Sequence, residues 1–475
     1  MKYLLIIMGI YAGIFSVLVI RNHQLYQTFG WDLGFFDQLL WQASRGNLNF
    51  VSSFGNINIL GDHFQPIIYL LAPLYWIWDD VMVILIAQVL LVTIATVPLF
   101  LLAKIKIENG TAALAIAAAY LLFSGAQFTI INEFHQSAFI PLLLAWGLYW
   151  LETEKIGRGL AALLSLLLVR EEMGLLLAAL GVTYWIRKGP TSTYVGVGPL
   201  LMTGGIIGFF LLINIVIPAV SSQGQYIHYG YGSLGNKPEE VFISAIKNPG
   251  EAAISLISPS AKMIQVFQSI MAFGGLPVLN PVSLIPVFEQ YIVRFLDNRN
   301  IHRWIDNNHY SAPLGPLLAF GTIMTISFLL RSDPQPKLLV KGGRTLIISL
   351  YLIVSAVITA ALLKTPIWSI FNPQLYFTPQ WVEDADKLVA VVPAGVGVAV
   401  NNSLAPHLTH RDELYLLPKF KDAEYIAVDL SDGPNKHAPW PAKKMRGFVN
   451  ELIESGDWEI EQQFGDSLLI KRAMK

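Results

Sequence analysis

The 475-residue sequence contains no cysteine, which removes disulfides, thiolate metal sites and cysteine nucleophiles from consideration. Charge is scarce as well. Only 14% of residues are Asp, Glu, Lys or Arg, against roughly a quarter in an ordinary soluble protein, so a single water-soluble globule is excluded. The formal net charge of −1 leaves none of the basic excess that a nucleic-acid surface needs. Nor is there a dinucleotide fingerprint, because Gly395 and Gly397 precede a β-branched run where that motif would follow one. No internal repeat or low-complexity segment is present.

What the chain has in abundance is apolar residues, 54% of the total. Their distribution divides the protein in two. Residues 381–475 carry 26 of the 65 charged residues, 11 basic and 15 acidic, and have ordinary soluble composition. Residues 1–363 read as a polytopic transmembrane helical body, and 364–380 as a linker. Apolar runs long enough, or nearly so, to cross ~30 Å of hydrocarbon are Tyr3–Ile20, Val81–Ala103, Thr111–Ile131, Ser137–Leu151, Gly159–Val169, Met173–Ile186, Tyr194–Ile217, Tyr310–Leu330 and Thr345–Leu363. The expectation is therefore about nine spans, the first an uncleaved signal anchor, with Phe64–Trp78 re-entrant or interfacial because of Pro66 and Pro73. If the N-terminus is cytoplasmic, the inner connections hold eleven basic residues, among them Lys104, Lys106, Arg187, Lys337 and Lys341, and four acidic ones. The outer face then receives loops 21–80 and 218–309, the turns 132–136 and 170–172, and the last 95 residues, which makes this a multi-pass protein of the cell membrane. All nine histidines fall on that face.

The C-terminal part, residues 381–475, reads as a small extracytoplasmic α/β domain. Val396–Asn401 and Tyr425–Leu430 are strand-like, Glu459–Lys471 is a hairpin turning at Gly465-Asp466, and Asp384–Val391 and Lys443–Ser455 have helical spacing.

Polar chemistry concentrates in the outer turns. The first loop contains Gly30-Trp31-Asp32-Leu33-Gly34-Phe35-Phe36-Asp37-Gln38 and then Gly61-Asp62-His63-Phe64-Gln65-Pro66. As plain structure, Asp32 fits an N-cap for a helix over Leu33–Arg45, and Asp62 with Gln65 fits a capping box. Asp32 and Asp37 lie about 140° apart round a helix, so one ion cannot bridge them from one face. Glu133-Phe134-His135 and Arg170-Glu171-Glu172 each sit where two short spans meet. Asp62, His63, Glu133 and His135 together could bind a divalent cation such as Mg or Mn through oxygen and imidazole. Arg294, Arg299, Arg303, Asp306, His309 and Tyr310 precede a span, where arginine can hold a phosphate in two-pronged fashion and Trp304 and Tyr310 can anchor at the interface.

These motifs, Trp31 to Gln38, Gly61 to Phe64 leading to Ala72-Pro73-Leu74-Tyr75, Glu133 to His135, Arg170 to Glu172 and His309-Tyr310, resemble a family of polytopic membrane proteins known only as a domain of unknown function. That family is in turn similar to the GT-C membrane glycosyltransferases, which include the protein O-mannosyltransferases. The resemblance spans residues 1–363. It implies a catalytic carboxylate in the first outer loop, matched by Asp32 with Asp37 as the fallback, and a polyprenyl-phosphate sugar as donor. Leu33 stands where characterised members commonly have a second acidic residue.

The resulting expectation is inverting sugar transfer at the outer membrane surface. Asp32 is the base, Arg170, Glu171, Arg303, His309 and Tyr310 hold the substrate, and the C-terminal part covers the site or selects the acceptor. The alternatives are a polytopic transporter, which would place ionisable residues near mid-membrane where this chain has almost none, and a membrane protein without enzymatic activity.

Overall fold

The computed structural model describes residues 1–48, 50–52, 54, 57–189, 195–228, 231–297, 301–305, 308–331, 338–420 and 422–473. Tyr194, Arg299, Asp306 and Lys337, named above, lie outside the described residues, as do the side chains of His302 and Lys341.

The chain is mainly helical. Among the described residues, five helices are long and apolar enough to cross a membrane: Lys2–Gln24, Met82–Ile107, Val197–Val220, His309–Arg331 and Gly343–Leu362. Gly110–Leu122 and Ser124–Ile131 make a sixth if counted as one span bent by 48°. The bend falls at Phe123, whose extended backbone interrupts the helix while its ring is fully buried. The expected nine spans thus become five or six, and the reason is length. Phe139–Glu152 has 14 residues and Met173–Lys188 has 16, about 21 and 24 Å at 1.5 Å per residue, and Ile156–Leu164 is shorter still. Pro66–Trp76 is a 3-10 helix with Leu70 and Trp76 exposed.

Polar groups gather at both ends of these helices. Met173–Lys188 starts beside Glu171 and ends at Arg187 and Lys188, where the buried Glu152 pairs with Arg187 at 2.8 Å and Lys106 at 2.6 Å. That cluster ties three helices together at the end opposite to Glu171.

The first loop forms a two-residue antiparallel ladder, β1 (Val51–Ser52) with β2 (Ile57–Asn58). The C-terminal region contains β3 (Val398–Val400), β4 (Leu414–Leu416), β5 (Tyr425–Asp429), β6 (Trp458–Phe464) and β7 (Ser467–Arg472), in the order β4-β3-β5-β7-β6. Strand β3 pairs in parallel with β4 and β5, while β7 pairs antiparallel with β5 and β6. The helices Gln380–Val391 and Ala442–Glu454 flank the sheet. The expected strands and hairpin are present. Strand β4, with only three residues, gave no periodic signal.

This sheet region is seated on the first loop. Gly30 donates its N–H to both the backbone oxygen and Oδ1 of Asn402, at 2.9 and 3.0 Å. Gln38 Nε2 donates to the Arg411 carbonyl at 3.2 Å, and Tyr26 donates its hydroxyl to Asp386 at 2.8 Å. A Cβ on residue 30 would come within 2.6 Å of Leu416 and 2.8 Å of Ala405, so only glycine permits this approach.

Candidate functional site

Gly30–Gly34 forms one turn of π-helix leading into the helix Phe35–Ser44. Such turns are rare and are enriched at functional sites. The turn is not capped by Asp32, as the sequence suggested. Its cap comes from Glu133, whose Oε2 accepts from the N–H groups of Phe29 at 2.8 Å and Leu33 at 3.2 Å. Relieved of capping, the Asp32 carboxylate projects half exposed, with His135 Nε2 at 3.4 Å. His135 Nδ1 lies 2.8 Å from the Asn132 carbonyl and its ring stacks on His309 at 3.8 Å. With Nδ1–H donated to that carbonyl, Nε2 is the atom turned to Asp32.

The expected capping box at Asp62 is likewise not formed. Asn58 caps the short helix Ile59–Asp62 instead, and Asp62 turns to His228 Nε2 at 2.6 Å. His63 stacks on His228 at 4.2 Å and faces Glu171 through Nδ1 at 2.7 Å. Glu171 is fully buried and also accepts from Tyr226 at 2.6 Å and the Phe64 N–H at 3.1 Å. Arg170 Nη2 lies 3.5 Å from His63 Nε2, and its guanidinium covers the Tyr310 ring. Glu172 takes Arg170 on one oxygen at 3.5 Å and Arg303 on the other at 3.2 Å, and Arg303 continues to Asp297 at 3.4 Å.

Trp31, Asp32, Asp62, His63, His135, Arg170, His309 and Tyr310 line one cavity of about 240 Å³, with Phe35, Phe36, Gln65 and Gln136. Of the residues expected at the site, Glu133 and Glu171 stand immediately behind it, holding Asp32's turn and His63. Arg303 is removed by one residue and acts through Glu172. Asp37 lies apart: it is fully buried, accepting from the hydroxyls of Tyr75 and Thr409, with His410 Nε2 at 3.3 Å.

The four expected metal ligands separate into two places. Glu133 and His135 belong to Asp32, while Asp62 and His63 meet His228, with one ligand atom of each within 4.8 Å of the others. His228 and Tyr226 were missed at the sequence level, since nothing in the long loop ties them to residues 62 or 171. The aromatic run Tyr226-Ile227-His228-Tyr229 was the available signal. Gln65 and Gln136, both buried, each leave a side-chain oxygen without a hydrogen-bond partner among the described residues, as His309 leaves Nδ1. The two amide oxygens can accept hydrogen bonds, and the imidazole nitrogen can accept or donate according to its tautomer.

The electrostatics divide the carboxyls into two states. Burial works to raise Asp32, but His135 outweighs it and holds the carboxyl below its ordinary value. Glu133 is raised well above its ordinary value by burial and by the charge of Asp32, against the pull of its two amide donors. The two members of the pair are therefore pushed in opposite directions, Asp32 toward its charged form and Glu133 toward its protonated one. Burial opposes ionising Glu171 as well, but His63, Arg170 and Tyr226 keep it below the carboxylate range. His63 itself is lowered by burial, which prevails over the attraction of Glu171. A neutral ring donating Nδ1–H to Glu171 keeps a lone pair on Nε2, the state suited to a metal or a donor hydrogen.

A larger cavity of about 570 Å³ lies between the C-terminal end of the first helix and the sheet region, lined by Tyr26, Asp79, Asp386, His407 and His410 among others. Its carboxylates have partners, Asp386 in Tyr26, Asp79 in Arg45 and His410, and Asp80 in the Met82 N–H. The smaller cavity is where acid, base and cation converge.

These features define a polytopic membrane protein with a carboxylate–histidine site at one helix end. The chain belongs to the DUF2079 family of predicted membrane proteins, whose model matches residues 22–469. Its fold is similar to that of ArnT from Cupriavidus metallidurans: the crystal structure bound to undecaprenyl phosphate superposes with a TM-score of 0.55 at 11% identity, covering 99% of this chain and 98% of that one. The apo structure of the same ArnT gives 0.49 at 8% identity, with 96% and 95% covered. Identities this low describe the fold alone. Among curated proteins none matches the sequence. The family and the GT-C-like fold thus agree with the resemblance read from the motifs.

Proposed function

We propose that the protein moves a sugar from a polyprenyl-phosphate donor to a hydroxyl-bearing acceptor outside the cytoplasm, with inversion at the sugar. The observation that carries this reading is Asp32, a half-exposed carboxylate facing His135 in a cavity that also presents Arg170, with Glu133 holding its turn from behind. Asp32 takes the proton of the acceptor hydroxyl as its oxygen attacks the anomeric carbon. The bond from that carbon to the phosphate oxygen breaks, and the electron pair leaves with the lipid phosphate. Arg170, fixed by Glu172 and through it by Arg303, meets the charge that develops on the phosphate. His309, Gln65 and Gln136 supply acceptors for sugar hydroxyls, and Trp31 and Phe35 an apolar wall for the ring's C–H face. The likeness in fold to a protein crystallised with undecaprenyl phosphate supports a lipid-phosphate partner.

In this reading residues 1–363 form the membrane body with its N-terminus cytoplasmic, 364–380 link, and 381–475 lie on the outer side with the site. Asp62, His63 and His228 would hold a divalent cation, the two imidazoles favouring Mn or Zn over Mg; bound there, it would supply positive charge beside the leaving phosphate.

The test is to incubate purified protein with undecaprenyl-phosphate-linked sugars and follow release of undecaprenyl phosphate by mass spectrometry. Release from at least one donor is expected, and no release from any would overturn the reading. Metal analysis of wild type against His228→Ala tests the cation separately, with one equivalent expected in the first and less than a tenth in the second.

A further inference from the structure

The turn that carries Asp32 is five residues long, and π-helical geometry has little stability of its own. Its opening N–H groups are satisfied from outside. Glu133 takes Phe29 and Leu33, and Asn402 takes Gly30 twice. Asn402 is itself held, its Nδ2 donating to the Asn435 carbonyl at 2.9 Å. Beyond Asp32 a second clamp closes on the same segment from the same region: Thr409 and His410 on Asp37, and the Arg411 carbonyl on Gln38. Asp32 thus sits between two attachment points to the sheet region. Yet among the described residues the cavity walls come from residues 31 to 310, and none of the sheet region lines it.

We infer that the C-terminal sheet region is a working part of the Asp32 site, holding the residue 30–34 turn from behind, with Asp37 as the positioning residue through which it acts. It neither covers the cavity nor touches what binds there. The anchor needs a carboxylate. Asp37 accepts from Tyr75 of the membrane body and from Thr409 of the sheet region, with His410 Nε2 at 3.3 Å, so one buried side chain joins the two parts just after the turn. The inference rests on the role proposed above for Asp32, but its structural half can be measured without any turnover.

The experiment compares wild type with Thr409→Val, which keeps the side chain's shape and removes its hydroxyl, Thr409→Ser, which restores the hydroxyl, and Asp37→Asn. Hydrogen exchange is followed at residues 29–36 and at β3 and β5, and kcat and KM are measured for an undecaprenyl-phosphate sugar that the wild type consumes. Thr409→Val and Asp37→Asn are expected to speed exchange at 29–36 at least tenfold with β3 and β5 unchanged. They should also lower kcat at least tenfold with KM within twofold, and Thr409→Ser should behave as wild type in both. Unchanged exchange at 29–36, equal acceleration in β3 and β5, or faster exchange with unchanged kcat would each overturn the inference. A wild type that consumes no donor overturns the sugar-transfer reading instead, and exchange at 29–36 then decides whether the sheet region holds the turn.

Discussion

Asp32 and Asp37 are five residues apart on one short stretch of helix, and the protein treats them in opposite ways. Asp32 is half exposed, with a single long contact to His135, whereas Asp37 is fully buried with two hydroxyl donors and an imidazole around it. A carboxylate buried among partners is closed off from a substrate and works as a joint. One kept ionised and under-bonded is available to take a proton. The offset of about 140° between them on a helix makes both roles possible at once.

The contrast can be broken most decisively at Asp32. Asp32→Asn should reduce kcat for sugar transfer by roughly 10²–10⁴-fold, the range of a lost general base, while the melting temperature stays within about 1–2 °C, because an exposed pair adds little stability. Asp37→Ala should do the reverse in kind. Leaving Tyr75, Thr409 and His410 without their shared acceptor should cost about 3–5 kcal/mol, seen as a large fall in melting temperature in detergent. Similar melting temperatures for the two variants would erase the distinction.

Glu171 extends the comparison to a third carboxylate that is buried and yet ionised. Glu171→Gln should cost about 1.5–3 kcal/mol at pH 7, the range for hydrogen bonds to a charged group. Because its folded pKa is depressed, the stability it provides is present above about pH 4.3, the ordinary glutamate value, and is lost as pH falls toward the folded value. The melting-temperature gap between wild type and Glu171→Gln should therefore be constant from pH 7 to pH 5 and narrow at pH 3.5.

The smallest effect is expected at His410. Burial lowers its pKa, but Asp37, Asp79 and Asp80 outweigh that and raise it above the ordinary histidine value. Its contribution is then full below about pH 6.5 and fades as pH rises through the folded value. A slight gap in melting temperature between wild type and His410→Gln at pH 6 should close by pH 9, and a gap that widens with pH would reverse the assignment.

Much of this arrangement was legible in the chain. The uneven charge separated a membrane body from a C-terminal region, and alternating β-branched runs located most of the sheet. The outer turns carrying Asp32, Asp62, His63, His135, Arg170, His309 and Tyr310 do meet in one cavity, because short helices ending at one level force their connections together. Other features depend on partners that lie far off in sequence. His228 reaches Asp62 across 166 residues and Thr409 reaches Asp37 across 372, and no local pattern encodes either pairing. Capping was misjudged for the same reason. Asp32 has the chemistry of an N-cap, but Glu133 is brought to the turn from a hundred residues away and takes the amides first. The count of about nine spans is not confirmed, five or six helices among the described residues being long and apolar enough, since hydropathy marks apolar segments without requiring each to run the full thickness of a bilayer.

The pairing of Gly30 with Asn402 has a consequence for how the protein comes into being. The turn bearing Asp32 is synthesised before the residue that completes it, which follows 372 positions later. Until Asn402 is made, Glu133 is the side chain among the described residues that holds the turn's first amides, so the local geometry around Asp32 depends on a region far along the chain.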